Sequence, residues 1–264
     1  MEKFVYCPRK STGAMELVDA LDATRIRKFD GLHFWGKKRE VRVGAGDIIV
    51  CWGANLPNLK GIRTLNGDGK LLTKFEEARL LSVNKIATVE AHKAKPLAVA
   101  GFEYLGRSNH HIGGNDLLGN IRVPDFWVRK ETLIDEFRVH VFDGKSLKAG
   151  KKVPRILNYH PWIRSYDAGW KIDYTDFKSN EAMRSIAKKA VKALGLTFGA
   201  VDVGQRADGT YIVLEVNRAP GIEGNTVLDY VKAINRWIAG PDEKAVKPPI
   251  GKGLKRVDED EIPF

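Results

Sequence analysis

Three oxygen-bearing side chains interrupt an otherwise apolar stretch: Asp202 in Phe198-Gly-Ala-Val-Asp-Val203, and Glu215 and Asn217 in Thr210-Tyr-Ile-Val-Leu-Glu-Val-Asn217. The two runs alternate around Asp208-Gly209, a dipeptide that favours a tight hairpin turn. Counting outward from a two-residue turn there sets Asp202 opposite Glu215 and Ala200 opposite Asn217. A side-chain period of two then puts Tyr211, Val213, Glu215 and Asn217 on one face together with Asp202. Facing carboxylates on an apolar strand repel and are poorly solvated, so something must compensate. Exposure on a polar face, or an arginine such as Arg218 or Arg206, is one solution. A hard divalent ion such as Mg²⁺ is the other, since it takes a few protein oxygens and completes its shell with phosphate. Three oxygen donors converging at one end of one sheet favour the ion.

Several elements must hold that hairpin. Met15, Leu17, Val18, Leu21 and Ile26 give an apolar helical face from Ser11 to about Lys28, and Asp47-Ile-Ile-Val-Cys-Trp52 reads as a strand running into a Gly53-Ala-Asn-Leu-Pro57 loop. A second helix is expected from Lys74 to Ala94, followed by a strand at Leu97–Ala100. Gly101 to Gly119 holds five glycines together with Arg107, Ser108, Asn109, His110 and His111, a polar passage of low regularity. Phe126–Val128 and Glu136–Phe142 read as strands, the second ending at an Asp143-Gly144 turn, and Lys145–Lys152 as a basic loop. Helices follow from Ser179 to Leu194, stopped by Gly195, and from about Thr226 to Ile238, where Asn225 or Thr226 supplies a cap.

The chain of 264 residues is 43% hydrophobic, enough for a substantial core. No apolar run approaches the roughly 18 residues that span a bilayer, and the N-terminus lacks the apolar core of a signal peptide, so a cytoplasmic protein without a membrane partner is expected. The two cysteines, Cys7 and Cys51, make neither a disulfide framework nor a metal cluster. A formal charge of +11 allows a nucleic-acid partner, but no nucleic-acid motif organises it, and nucleotide phosphates or an acidic substrate account for it equally well.

The helix, the Phe198-Gly-Ala-Val-Asp202 strand, the hairpin and then Leu214-Glu-Val-Asn-Arg-Ala-Pro-Gly221 resemble the C-terminal lobe of the ATP-grasp superfamily. Within it the likeness is to carboxylate–amine ligases such as glutathione synthetase and the ribosomal protein glutamate ligases, and it extends over roughly residues 45–235. The resemblance implies an α+β fold in which two α+β lobes grip ATP, preceded by a small α/β N-terminal lobe. The implied divisions are an N-terminal lobe over 1–80, a small central lobe with a glycine-rich lid over 81–130, a C-terminal lobe with the Mg²⁺ site over 131–240, and a flexible tail over 241–264.

It further implies that Asp202, Glu215 and Asn217 hold two Mg²⁺ ions that bridge the phosphates of ATP. Glu136-Phe-Arg-Val-His140 resembles the family's Glu-Tyr-Arg-Val-His strand, which assigns Arg138 to phosphate or an acyl phosphate. Phe126-Trp-Val-Arg-Lys130 takes the place of the adenine-binding linker strand, and the glycine-rich passage, with Gly113 and Gly114, that of the loop over the triphosphate. Asn84-Lys85 resembles the Asn-Lys that opens the central lobe, directing Lys85 at phosphate. The family's usual nucleotide-binding lysine has no clean counterpart, so Arg107, Arg129 or Lys130 stands in. His111, with His110, is assigned to phosphate or to the incoming amine, and Arg164, with Asn158 and Trp170, to the acceptor side.

The implied activity is an ATP- and Mg²⁺-dependent ligation. A carboxylate takes the γ-phosphoryl group to form an acyl phosphate, and an amine then displaces phosphate to leave an amide. The partners are a carboxylate substrate and an amine acceptor, drawn from peptides, proteins and amino acids; relatives that pair make a homodimer admissible. Two alternatives stand beside it: a kinase or phosphotransferase on the same nucleotide site, and a non-catalytic basic module that binds nucleic acid or protein.

Overall fold

The computed structural model describes residues 1–9, 11–68, 71–97, 101–109, 116, 123–175 and 180–240. His110, His111, Gly113, Gly114, all but the first residue of the strand expected at Leu97–Ala100, and the tail over 241–264 lie outside the described residues.

In the N-terminal part, β1 (Lys3–Tyr6), β2 (Thr24–Ile26), β6 (Ile48–Cys51) and β7 (Arg63–Leu65) form a parallel sheet in the order β2-β1-β6-β7. Helix α1 (Thr12–Leu21) packs on it, and β3 (Lys28–Phe29), β4 (Phe34–Trp35) and β5 (Glu40–Val41) make a small antiparallel meander. After α2 (Lys74–Val83), the strands β8 (Ala91–His92), β9 (Tyr104–Arg107) and β10 (Phe126–Arg129) pair in the order β8-β10-β9. The largest sheet is antiparallel, with β11 (Asp135–Phe142), β12 (Lys145–Pro154), β13 (Trp170–Asp173), β14 (Phe198–Gln205) and β15 (Tyr211–Asn217) in the order β13-β12-β11-β14-β15. Helix α3 (Glu181–Ala193) precedes its last hairpin, and α4 (Asn225–Ala239) follows it.

Both early helices are shorter than their apolar patterns indicate. Helix α1 ends where Asp22 turns left-handed (φ 51°), and Ile26, counted on its face, belongs to the β-branched strand β2 instead. Helix α2 ends at Val83, because Asn84 caps it and Lys85 takes a left-handed conformation (φ 56°) before the β-branched run that follows. The basic stretch Lys145–Lys152 is not a loop but most of β12, its alternate residues pairing in register with β11. A run of lysines hid that alternation. The cap of α4 is Gly224, with no side-chain hydrogen bond from Asn225 or Thr226.

The hairpin contains two offsets that cancel. Its loop has three residues, closed by Arg206 N donating to Thr210 O (2.9 Å), with Gly209 at φ 82° as left-handed turns demand. That loop moves the register by one, and a bulge opposite Asp202 and Val203, where Leu214 is the extra residue, moves it back. Asp202 therefore pairs with Glu215 and Ala200 with Asn217, as the sequence predicts. Tyr211 and Val213, however, do not share the acidic face. Val213 packs in the core under α3, and the Tyr211 ring lies against Phe137.

The two faces of the large sheet are differently occupied. On one, Met183, Ala187, Ala190 and Val191 of α3 cover Val139, Val141, Val201, Val203, Val213 and Val216. On the other, Phe142 and Phe198 are buried under Val227, Tyr230 and Ile234 of α4, Leu17 and Leu21 of α1, and Trp52. Further along that second face stand Glu136, Arg138, Asp202 and Glu215. A rigid apolar end thus continues into a charged end on the same strands.

Candidate active site

The register aligns Glu215, Asp202, Arg138 and Gly150 in one row across β15, β14, β11 and β12. Arg138 grips Asp202 with two hydrogen bonds, Nε to Oδ1 at 2.7 Å and Nη2 to Oδ2 at 2.9 Å. Lys152 Nζ bridges Asp202 Oδ2 (3.2 Å) and Glu136 Oε2 (3.0 Å). On the far side of the row, Lys74 Nζ lies 3.2 Å from Glu215 Oε2, and Asn217 Nδ2 donates to Glu215 Oε1 at 3.1 Å.

Asp202 is 4% exposed, and burial alone would raise its pKa, yet Arg138 and Lys152 reverse that and hold it well below the usual carboxylate range. Lys74 does the same for Glu215, whose pKa falls to about 2 against opposition from burial and from Asp202. Lys74 stays protonated, with burial outweighed by Glu215 and Glu77. Two facing carboxylates are therefore both ionised because three cations enclose them.

Beside the row is a narrow slot of about 30 Å³, with Ala78, Phe126, Val128 and Leu214 as apolar walls and Lys74, Arg107 and Glu215 among its polar lining. The bulge explains Leu214's place there: the extra residue leaves Val213 and Val216 to the core and turns Leu214 to the slot.

Of the residues singled out from sequence, Arg138, Asp202, Glu215 and Asn217 are brought together. Arg107 lines the slot and pairs with Asp116 (2.6 Å). Arg164 reaches to 3.9 Å from Glu136 while donating to the carbonyls of Leu133 and Ile134, its guanidinium 5.0 Å from the Trp170 ring centroid. Arg129 pairs with Glu90 and Glu131, and Lys130 with Glu103, so both are committed to ion pairs of their own. Lys85 is exposed at the end of α2 and is not in the cluster, because the left-handed turn carries it past the helix. Asn158 is exposed on the segment after β12. His111, Gly113 and Gly114 fall outside the described residues. The cation on Glu215 is Lys74 rather than Arg218, and Arg206 is engaged with Glu131.

Lys74, Lys152 and Glu136 are the participants that sequence reasoning passed over. Lys152 was hidden in the lysine run, although its pairing with Glu136 follows from extending the β11 hairpin. Lys74 opens α2 behind a Thr73–Glu76 capping box, where the helix dipole disfavours a cation. A lysine in that position needs anions, and Glu215 and Glu77 supply them.

The oxygen donors suit a hard divalent ion. Asp202, Glu215 and Asn217 share one face and both acids are ionised. Among the described residues no three His, Cys, Asp or Glu side chains gather into a metal site, so an ion here would draw on the Asn217 amide and on non-protein oxygens. Mg²⁺ tolerates that arrangement, since it keeps waters and shares phosphate oxygens.

Just beyond the row, His140 is fully buried, its Nε2 2.9 Å from Tyr174 Oη and its Nδ1 3.2 Å from Tyr230 Oη. Burial first, then the Arg138 charge, push its pKa down to about 3. The unfolded chain takes up a proton near its ordinary value of 6.5 while the folded chain refuses it, so stability is lost as pH falls from 6.5 toward 3. Urea midpoints measured at pH 7.5 and 4.5 are expected to fall on acidification, and the fall is expected to shrink in His140→Gln.

Residues 115–221 match a family model described as an ATP-grasp domain, family 3 of its clade. A comparison with curated proteins gives no match. Among solved structures, the ATP-grasp ligase PsnB complexed with its minimal precursor is 13% identical with a TM-score of 0.56, covering 86% of this chain and 93% of that one. D-alanine–D-alanine ligase from Bacillus anthracis is 16% identical with a TM-score of 0.57, covering 89% and 91%. The macrocyclase MdnC bound with precursor peptide MdnA, from Microcystis aeruginosa, is 11% identical with a TM-score of 0.56, covering 89% and 100%. At such identities the likeness establishes the fold. It is the α+β ATP-grasp fold that the sequence resembles. No helix among the described residues is long and apolar enough to cross a membrane.

Proposed function

We propose that this ATP-grasp chain is an ATP- and Mg²⁺-dependent ligase that joins a carboxylate to an amine through an acyl phosphate. The observation that carries the reading is the row itself: two facing carboxylates kept ionised by Arg138, Lys152 and Lys74, next to a slot with apolar walls. A phosphoryl transfer asks for charge neutralisation and positioning more than for covalent help. That inventory is present.

Asp202, Glu215 and Asn217 would hold Mg²⁺, two ions by analogy with the resemblance, and the metal supplies neutralisation of phosphate charge. Lys74 and Lys152 each contact their acids at 3.2 Å through long side chains, so each has reach to turn toward phosphate when a metal takes over the carboxylates. Arg138 keeps a fixed fork on Asp202 and orders the floor of the site. The slot is far smaller than a nucleotide, so binding requires β8 and β10 to move away from α2 and β15. Closing them again excludes water from an acyl phosphate that would otherwise hydrolyse.

The substrate carboxylate oxygen attacks the γ-phosphorus and ADP leaves; the amine nitrogen then attacks the acyl carbon, phosphate leaves, and the nitrogen gives up a proton. PsnB and MdnC are described with precursor peptides, which supports a peptide among the substrates tried first. Mass spectrometry of amino acids and peptides incubated with protein and Mg·ATP is the test. A condensation product lighter by one water is expected; a stable phosphorylated product in its place would establish a kinase instead.

A further inference from the structure

The row across the large sheet has a fifth member. Strand β13 pairs with β12 as far as Lys151 with Asp173, and one more step of that register sets Tyr174 beside Gly150, next to Arg138. A Cβ on Gly150 would stand 2.7 Å from Tyr174 Cδ1, so glycine is what allows the ring to lie over the strand. Lys148 Nζ lies 4.5 Å from the ring centroid and adds a cation–π contact. The phenol is partly exposed, and its hydroxyl meets the buried His140.

Counting protons fixes the direction of those hydrogen bonds. Tyr230 is fully buried, and its hydroxyl meets His140 Nδ1 at 3.2 Å. A buried hydroxyl proton needs an acceptor, so Tyr230 donates to Nδ1. His140 has phenols on both ring nitrogens; Arg138 and Lys148 disfavour its protonation and only Asp202 favours it, so the ring is neutral. Its single proton is then on Nε2 and is donated to Tyr174 Oη. The tyrosine oxygen accepts, and its own proton is left for a third group. Burial pushes the Tyr174 pKa up to about 12, so that proton is retained at neutral pH.

We infer that Tyr174 is a substrate-binding residue whose hydroxyl, oriented through Tyr230 and His140, donates a hydrogen bond to an oxygen of the substrate carboxylate or acyl phosphate beside Arg138. The inference rests on the proposed ligase reading; His140 and Tyr230 are positioning residues within it.

Two measurements on the full chain test it. In protein labelled with ¹⁵N-histidine, the signal lost in His140→Gln is expected to be a neutral ring protonated on Nε2; a proton on Nδ1, or on both nitrogens, overturns the relay. Acetyl phosphate serves as the acyl-phosphate probe, titrated onto protein saturated with Mg·ADP. Tyr174→Phe keeps the ring over Gly150 and is expected to weaken acetyl phosphate about tenfold, as for one hydrogen bond to a charged group, with Mg·ADP affinity unchanged. Unchanged acetyl phosphate affinity in Tyr174→Phe, or none in the unaltered protein despite bound Mg·ADP, overturns the substrate role. Failure of the unaltered protein to bind Mg·ADP counts against the ligase reading itself, and the substrate role falls with it whichever tautomer is found.

Discussion

Glu215→Gln is expected to lower Mg·ATP-dependent turnover by on the order of 10²–10³-fold while the protein stays folded. The replacement preserves shape and removes one of the two charges that face each other across β14 and β15. Lys74 loses its closer partner at 3.2 Å but keeps Glu77 at 3.9 Å. The side chain of Glu215 retains 29% exposure, so water can solvate part of what changes and the effect on stability is expected to be small. Phosphate release with the assayed substrate pair, alongside a thermal melt followed by circular dichroism, separates the two effects. Turnover within a few-fold of the unaltered protein would remove Glu215 from the chemistry and take the metal assignment with it.

The largest effect on stability is expected from Arg138→Met. Asp202 would then be left buried with Lys152 alone, and that lysine is shared with Glu136. Breaking one side of a buried, doubly hydrogen-bonded pair costs about 3–5 kcal/mol, because the surviving charge has lost its compensation. Urea unfolding at neutral pH measures it. Adding Asp202→Asn to Arg138→Met is expected to restore part of the loss, since the uncompensated charge goes too. The acid variant alone leaves Arg138 unpaired. A double variant no more stable than Arg138→Met would mean that Arg138 acts through packing rather than through its charge.

The sequence was most informative where short-range geometry decides the outcome. Asp202 and Glu215 could be set opposite each other because hairpin pairing is local, although the agreement depended on a three-residue loop and a bulge at Leu214 that cancel. The same bulge is why Tyr211 and Val213 went to the wrong face in a reading by strict alternation. The resemblance to ATP-grasp ligases supplied the fold, and the position of Arg138 followed from its strand motif. What stayed hidden was long-range. Lys74 is separated by most of the chain from the acid it neutralises, and nothing in the residues around Thr73 names Glu215 as its partner. Lys152 was legible only once β12 was recognised as a strand. Charge density gives no period, whereas Glu136 and Arg138 in one strand already fix where Lys152 and Gly150 must fall in the next.

The shared core beneath α4 bears on how this protein can be cut and recombined. Trp52 stacks on Phe198 with centroids 5.2 Å apart, and Tyr230 packs edge-on against both. Asn66 donates from Nδ2 to the carbonyl of Phe198 and accepts from the amides of Thr197 and Phe198. Residues from both ends of the chain thus complete a single apolar unit, and no break in the backbone before residue 81 releases an independent piece. A chimera with a relative would have to exchange the first sheet and the last helix together, which leaves the β8–β10 region as the segment that can be transplanted by itself.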